Sequence, residues 1–222
     1  MTHDSRQRMI VSTAGLVGSH GASGTSFSDI MRESRAPRGS IYHYFPDGKR
    51  QLLGAAIQWT SEQILSYQQQ CPATTPTGVV EHFVSLFRHS VVSSDCRAGC
   101  PVAGVVVDTY STDDELQRRS RASFRAWEGL LARQLVAVGV ERAAARSLAL
   151  TTLAAVEGAL ILCRTESSVA PLDAVAAELR RLVRSGRSAA APRRGASRPK
   201  LSPRERGFKG RARQRRARTA DR

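Results

Sequence analysis

The sequence predicts an all-α protein in which a small N-terminal unit of three helices precedes a larger helical body. Apolar residues recur at helical spacing along most of the 222-residue chain. Helix-start signals and helix breakers divide this pattern into segments of ordinary helix length. The stretch that favours a strand, "VAGVVV" at 102–107, lacks a second strand to pair with, so we expect a buried helix or a turn there.

The N-terminal unit contains three predicted helices. The first covers 5–20 and ends at the glycine-rich "GSHGASG". Ser26 is followed three residues later by Asp29, a pattern that resembles a capping box and predicts the start of a second helix. Pro37 disfavours helical backbone at the residue before it, so the chain turns before a third helix at 38–44. The sequence "PDG" ends this third helix.

The body is predicted to contain six helices. The first runs from 49 to about 70 and is followed by the loop "CPATTPTG". The others are expected at 77–93, 101–110, 113–138, 141–164 and 171–184. These assignments divide the chain into an N-terminal domain at 1–48, a body domain at 49–184 and a tail at 185–222.

Two stretches bear on membrane targeting. "MIVSTAGLV" at 9–17 follows two arginines and faintly resembles a signal peptide. An amphipathic first helix explains it at least as well, because Ile10, Ala14 and Val17 fall on one helical face. Glu157 interrupts the longest apolar run, so no run reaches the roughly 18 charge-free residues that a membrane span needs. We expect a cytoplasmic protein with no membrane partner.

The net charge of +15 is concentrated in the tail. Residues 185–222 hold 14 of the 34 lysines and arginines and two of the 19 acidic residues, so the rest of the chain is close to neutral. The tail has too few apolar side chains to offset the entropy of ordering, and we expect it to be disordered. It either adds contacts to nucleic acid or remains a solvated segment.

The cysteines do not favour a metal site. The chain has four of them, without a CxxC pair, at Cys71, Cys96, Cys100 and Cys163. A structural zinc site needs four ligands at close spacing. Free thiols in a reducing compartment are the expected state, with no metal and no cofactor.

Residues 38–45, "RGSIYHYF", concentrate aromatic residues in a chain that is 5% aromatic. Two short helices about three residues apart have the geometry that fits a DNA major groove. Arg38 lies at the start of the second of these helices, and arginine is the commonest bidentate reader of guanine. Gly39 allows close backbone approach. The residues alone leave open a plain aromatic helical hairpin.

Residues 25–53, "TSFSDIMRESRAPRGSIYHYFPDGKRQLL", resemble the DNA-binding signature of the TetR/AcrR family of bacterial transcriptional repressors. The resemblance implies a homodimer that binds double-stranded operator DNA. It also implies a set of DNA-contacting residues, with Ser26 and Lys49 on phosphates. The full set is Ser26, Arg38, Gly39, Ser40, Tyr42, His43 and Lys49.

Three later stretches resemble the LmrA/YxaF-like subgroup: "GCPVAGVVVDTYSTDDELQ", "FRAWEGLLARQL" and "VEGALILCRTESSVAPL". Known members of that subgroup respond to flavonoids or antibiotics, which implies a small hydrophobic, aromatic effector. One position departs from the family pattern. Where the family turn usually has glycine, this chain has Arg35, which costs roughly 1 kcal/mol if that residue is left-handed.

The body offers candidate ligand-pocket residues. Five aromatic side chains are expected on helices around one cavity: Trp59, Phe83, Phe87, Phe124 and Trp127. Their helical spacing is also typical of ordinary core packing. Glu157 lies in an apolar helix, where a carboxylate has to be paired, protonated or at the surface. It is either a partner of Arg164 or a polar group of the pocket. Small residues in "SLALTTLAAVEGALILC" predict close helix packing at a dimer interface.

The motifs of common enzyme classes do not occur in the sequence, which has no GxSxG, P-loop or HExxH pattern. The consecutive Asp113, Asp114 and Glu115 spread around a helix start, where they suit the helix dipole better than acid–base catalysis. We therefore expect a ligand-responsive repressor and no enzyme. The alternative is a protein that binds nucleic acid non-specifically through its arginine-rich tail.

Overall fold

The computed structural model describes residues 2–37, 39–109 and 112–189, with side chains from residue 5 to residue 184. This part of the chain is helical and contains no strand, which confirms the all-α prediction. The elements are α1 (Thr2–His20), α2 (Phe27–Ser34), α3 (Ser40–Tyr44), α4 (Gly48–Gln69), α5 (Pro76–Ser93), α6 (Pro101–Thr109), α7 (Asp114–Ala137), α8 (Arg142–Glu166) and α9 (Ala170–Ala189). Arg38 and most of the basic tail lie outside the described residues.

Local capping explains where several helices begin. The predicted capping box is present at α2: the Ser26 hydroxyl accepts from the Asp29 amide at 3.2 Å, and the Asp29 carboxylate accepts from the Ser26 amide at 3.3 Å. Asp113 caps α7 by accepting from two backbone amides. Thr75 caps α5 through the Gly78 amide. Each cap satisfies backbone donors that the first turn of a helix leaves free.

The stretch "VAGVVV" is helical, because it forms the middle of α6. Val102 and Val105 are its buried side chains, three residues apart as a helical face requires. Of the two structures that the sequence left open for this stretch, a buried helix is the one observed.

The turn after α2 contains a strained residue. Arg35 follows the helix with φ 50° and ψ 34°, which is the left-handed conformation that glycine adopts without steric cost. The Arg8 guanidinium donates to the Ser34 carbonyl at 2.9 Å and so satisfies a carbonyl at the end of α2. Residue 35 thus meets the condition under which its departure from the family's glycine carries a steric cost.

Two clusters of buried side chains hold the fold together. The smaller cluster joins α1 to α2, α3 and the start of α4, and consists of Met9, Ile10, Ile30, Ile41, Phe45 and Leu52. The larger cluster lies in the body and includes Phe83, Trp127 and Leu131. Helix α1 contributes to both, because Val17 near its end packs into the larger cluster. Helix α1 therefore links the small unit to the body.

Helix α8 is, among the described residues, the one long and apolar enough to cross a membrane by length and composition. In its most apolar window 39% is buried inside the structure. The core helix of a globular protein has the same properties, so this finding is weak support for a membrane span. Within the described part of the chain no group of three metal-binding side chains occurs, and the four cysteines are free.

Candidate nucleic-acid interface

Helix α3 has one buried face and one exposed face. Ile41 and Phe45 are 3% and 0% exposed and anchor the helix to the smaller cluster. Tyr44 is half-buried against the same cluster. Tyr42 is 64% exposed, and His43 is also exposed. This division matches the expected one, in which part of the aromatic segment anchors the unit and part remains available to a ligand.

The turn before α3 positions the exposed face. Gly39 has φ 87°, a left-handed conformation that a residue with a Cβ adopts only with strain. The Ser40 amide and hydroxyl both donate to the Pro37 carbonyl, at 3.1 and 2.7 Å. Arg38, the predicted base-reading residue, lies between these residues and outside the described set. Its role stays a prediction.

Tyr42 is oriented by a neighbouring helix. Its ring makes an edge-on contact with Phe27 of α2, with the ring centroids 5.9 Å apart. Aromatic pairs favour this T-shaped arrangement. The contact fixes the relative position of α2 and of the exposed face of α3, as major-groove recognition by two helices requires.

Ser26, a predicted phosphate contact, is exposed, but its hydroxyl is already engaged. It lies 2.5 Å from the Asp29 carboxylate and 2.7 Å from the Ser28 hydroxyl. The hydrogen bonds from Ser26 and from Arg32 lower the pKa of Asp29. The Ser26 hydroxyl can therefore donate to a phosphate only by giving up its bond to Asp29.

Lys49, the other predicted phosphate contact, lies in the first turn of α4. The Asp47 carboxylate makes no capping hydrogen bond at this helix, and the Gln51 side chain accepts from the Asp47 amide at 3.1 Å. Arg50 is exposed beside Lys49. A helix N-terminus whose N-cap side chain makes no capping bond, with two adjacent cations, is a favourable position for a phosphate. Sequence reasoning missed Arg50, although its place in the first turn after "PDG" was a usable signal.

The six predicted pocket residues do not come together around one cleft. Phe83, Phe87 and Trp127 are core side chains, exposed by 6% or less. Phe83 packs on Phe87 and Phe124 on Trp127, each pair with centroids 5.2 Å apart. Their spacing of three and four residues places the rings against each other along one helix.

Trp59 and Glu157 line two different clefts. Trp59 packs against the smaller cluster and borders a cleft of about 740 Å³ between α1, α4 and α7. Glu157 borders a cleft of about 400 Å³ between α1, α6 and α8. The placement of an effector around all six residues therefore remains a prediction without a shared cavity behind it.

Glu157 is a polar group of its cleft rather than a partner of Arg164. Burial raises the pKa of its carboxyl to about 7, and a hydrogen bond from the Cys100 thiol opposes that rise. Its Oε1 atom is buried without a hydrogen-bond partner. Arg164 instead donates to the Ser19 carbonyl at 2.6 Å. The structure thus places Glu157 at a cleft and Arg164 on the Ser19 carbonyl, while a role of Glu157 in an effector site stays a prediction.

Comparisons with known proteins agree with this architecture. The family model for bacterial regulatory proteins of the tetR family matches residues 10–56. The model for the C-terminal domain of LmrA/YxaF-like transcriptional regulators matches residues 76–178. The HTH-type transcriptional regulator Rv0196 of Mycobacterium tuberculosis is 36% identical over 183 residues, which cover 80% of this chain and 93% of that protein.

Solved structures show the same fold. A TetR transcriptional regulator from Chloroflexus aurantiacus is 26% identical with a TM-score of 0.67, covering 82% of this chain and 96% of that one. The TetR-family regulator CifR, solved in complex with 26-bp operator DNA, matches with a TM-score of 0.58 at 16% identity, covering 81% of this chain and 95% of that one. At that identity the CifR likeness shows the fold alone.

An all-α chain with this N-terminal helix-turn-helix unit and this helical body is a bacterial DNA-binding transcriptional regulator. It belongs to the TetR family, and its body is of the LmrA/YxaF-like type. The resemblance found in the sequence is thereby confirmed.

Proposed function

We propose that this regulator is a cytoplasmic homodimeric repressor that binds a palindromic operator through α2 and α3 and releases it when a small hydrophobic, aromatic molecule binds in the body. The observation that carries the proposal is the exposed face of α3. Tyr42 and His43 project from a short helix whose other side is anchored in the smaller cluster. A rigid helix with exposed donors is what readout in the major groove requires.

Exposed apolar side chains support the dimer. Helices α8 and α9 present four of them, each about half exposed or more: Leu150, Ile161, Leu162 and Leu182. Apolar groups of this size on neighbouring helices are typical of a contact surface. A two-fold dimer would present two copies of α3, and a palindromic site with half-sites one or more helical turns apart mirrors that symmetry.

Release by a ligand needs a difference in affinity between two states. A ligand that binds both arrangements of the dimer equally shifts nothing. The effector therefore has to favour a dimer in which the two α3 helices are wrongly spaced for successive major grooves.

Binding of selected DNA tests the interface. The full-length protein is used to select sites from a random duplex library, and affinity is then measured for the wild type and three variants. Arg38→Ala should cost about 1–3 kcal/mol and relax one base preference. Lys49→Ala should weaken binding evenly across sequences, and Arg121→Ala, on the exposed side of α7, should change nothing.

Two outcomes would contradict this assignment. Unchanged affinity and base preference in Arg38→Ala would remove α3 as the reading helix. Loss of binding on removal of residues 190–222, with Arg38→Ala neutral, would assign the interaction to the basic tail.

Light scattering tests the dimer. Leu150→Asp should yield monomers, while Val92→Asp on α5, where the side chain is equally exposed (54% against 55%), should not.

A further inference from the structure

The cleft beside Glu157 lies where α1 meets the body. It has a volume of about 400 Å³, within the range of small-molecule sites. Much of its wall is small or aliphatic, including Val17, Gly18, Ala103 and Leu160. Its charged or titratable lining groups are His20 on α1, Cys100 and Asp108 at α6, and Glu157 and Arg164 on α8.

Helix α1 is fastened to the body around this cleft. The Gly99 amide donates to the Gly18 carbonyl at 3.0 Å. A Cβ on Gly18 would lie 2.7 Å from the Gly99 carbonyl oxygen, so the two backbones touch without room for a side chain. Because the backbones are already in contact here, a molecule that widens the cleft has to move α1 relative to the segment around Gly99.

Two further hydrogen bonds hold the C-terminal end of α1. Arg164 of α8 donates to the Ser19 carbonyl at 2.6 Å. The Asp108 carboxylate of α6 accepts from the Ser23 amide at 2.7 Å. Both charged groups are thus occupied by backbone at the end of α1 or just after it.

Glu157 differs from these groups because it has unused capacity. Its Oε1 atom is buried and accepts no hydrogen bond. The Cys100 thiol is the side chain that donates to this carboxylate. Burial raises the pKa of Glu157 to about 7, so the group is partly ionised at neutral pH. A donor brought by a ligand, and a positively charged one above all, would satisfy this oxygen and stabilise the ionised form.

We propose that the cleft between α1, α6 and α8 is an effector site for a compact, mainly apolar molecule with a protonated amine, which donates to Glu157 and pushes α1 away from α6 and α8. The inference rests on the proposed function, since it gives the ligand response a site and a ligand class. Met9 and Ile10 of α1 belong to the smaller cluster, so displacement of α1 moves the unit that carries α3. The response therefore needs no contact between the ligand and α3.

The first experiment measures binding by calorimetry to the full-length protein without DNA. The probes are 1-naphthylmethylamine and its uncharged counterpart 1-naphthalenemethanol. At pH 8 the amine should bind at least tenfold more tightly than the alcohol. Glu157→Gln should remove that preference, whereas Glu166→Gln, an exposed carboxylate on the same helix, should keep it. Equal binding of amine and alcohol to the wild type would overturn the proposal.

Two controls keep this result interpretable. Lowering the pH to 5.5 protonates Glu157 and should abolish the preference for the amine in the wild type. Ala103→Leu fills the cleft but leaves Glu157 in place, and it should block both probes. If Glu157→Gln does not fold, as judged by circular dichroism, these two results decide the matter. A preference that persists at pH 5.5, or through Ala103→Leu, would place the amine elsewhere.

The second experiment adds a selected DNA site. The amine should release DNA from the wild type and not from Glu157→Gln. If both proteins bind DNA and the amine binds the wild type but releases no DNA, the coupling through α1 is wrong while the DNA-binding proposal stands. If the unliganded wild type binds no DNA sequence selectively, the proposed function fails, and calorimetry still tests the cleft by itself.

Discussion

The small unit around α3 and the body around α8 are both stabilised by buried apolar side chains, but they use polar groups differently. In the small unit, Ser26 and Asp29 satisfy each other within three residues of sequence. In the body, Glu157 is half-buried, and its Oε1 atom is buried without a hydrogen-bond partner. The first arrangement fixes a local shape, and the second leaves an acceptor without a donor.

The two regions therefore differ in how strongly their shape is fixed. In the proposed function the α2–α3 unit presents one geometry to the groove, and its capping, its left-handed turns and the Phe27–Tyr42 contact all restrict it. In the proposed response, the cleft at α1, α6 and α8 changes when the ligand binds. At a pH close to the pKa of Glu157, desolvation of the ionised carboxylate costs free energy, and a ligand that donates a hydrogen bond to it can relieve that cost.

The largest effect is expected from a substitution in the hydrophobic core of the body. Trp127→Ala removes a side chain that is 1% exposed and packs edge-on against Phe124. We expect a loss of about 3–5 kcal/mol in the free energy of unfolding, measured by urea denaturation. Phe45→Ala removes the corresponding ring of the smaller cluster. Val92→Ala, at an exposed position, is the control, and a loss at Trp127 no larger than at Val92 would contradict the packing described here.

A pH-dependent effect follows from Glu157. Its pKa is raised from 4.5 to about 7, so the folded protein binds more protons than the unfolded chain between these values. Glu157 therefore favours folding fully below pH 4.5, and this stability is lost as the pH rises through 7. Glu157→Gln should be more stable than the wild type at pH 8 by up to about 3 kcal/mol and close to it at pH 4.5.

The measurement is a series of urea denaturations from pH 4.5 to pH 8, in which the difference between the two proteins isolates this carboxyl. Glu166→Gln on the same helix should show no such dependence. A difference between wild type and Glu157→Gln that is constant across the series would mean that the carboxyl is not titrating in this range.

Local signals predicted the small unit well, and long-range packing explains what they missed. The capping box depends on residues within a few positions of each other, so the pattern around Ser26 was sufficient. The turn at Arg35 is equally local, but the sequence left its conformation open and the structure shows it to be left-handed. The contacts that define the cleft join Ser19 to Arg164 and Ser23 to Asp108, across 145 and 85 residues. No local pattern carries that information, because it depends on how three helices pack.

The aromatic residues of the body also show what a local sequence pattern cannot predict. Rings three or four residues apart on a helix line a pocket or pack on each other, and periodicity does not distinguish the two. Phe83 and Phe87 pack on each other. Glu157 was identified as unusual from its apolar surroundings alone, but whether it met Arg164 or a cavity depended on the rotation of α8, which the sequence does not specify.

A smaller loss of stability is expected from removal of a helix cap, and it can be compared between the two units. Ser26→Ala removes the capping hydroxyl of α2, which also donates to the Asp29 carboxylate, while Thr75→Ala removes a single cap from α5. We expect each to cost about 1 kcal/mol, with the larger loss at Ser26, measured by thermal denaturation. Ser90→Ala, in the interior of α5, is the control. A larger loss at Thr75 would indicate that capping matters more in the body than in the small unit.

The smallest effect tests the strained turn. Arg35 has φ 50°, where an arginine is strained and a glycine is not, so Arg35→Gly relieves strain in the folded state. Glycine also has more freedom in the unfolded chain, which offsets part of the gain. We expect a net stabilisation below about 1 kcal/mol, seen as a rise in Tm. Arg121→Gly, in the interior of α7, has ordinary helical backbone and should instead lose about 1 kcal/mol. The opposite signs of these two substitutions are the test, because glycine's cost in the unfolded chain is common to both. A fall in Tm for Arg35→Gly as large as that for Arg121→Gly would show that the arginine side chain at the turn contributes more than its backbone strain removes.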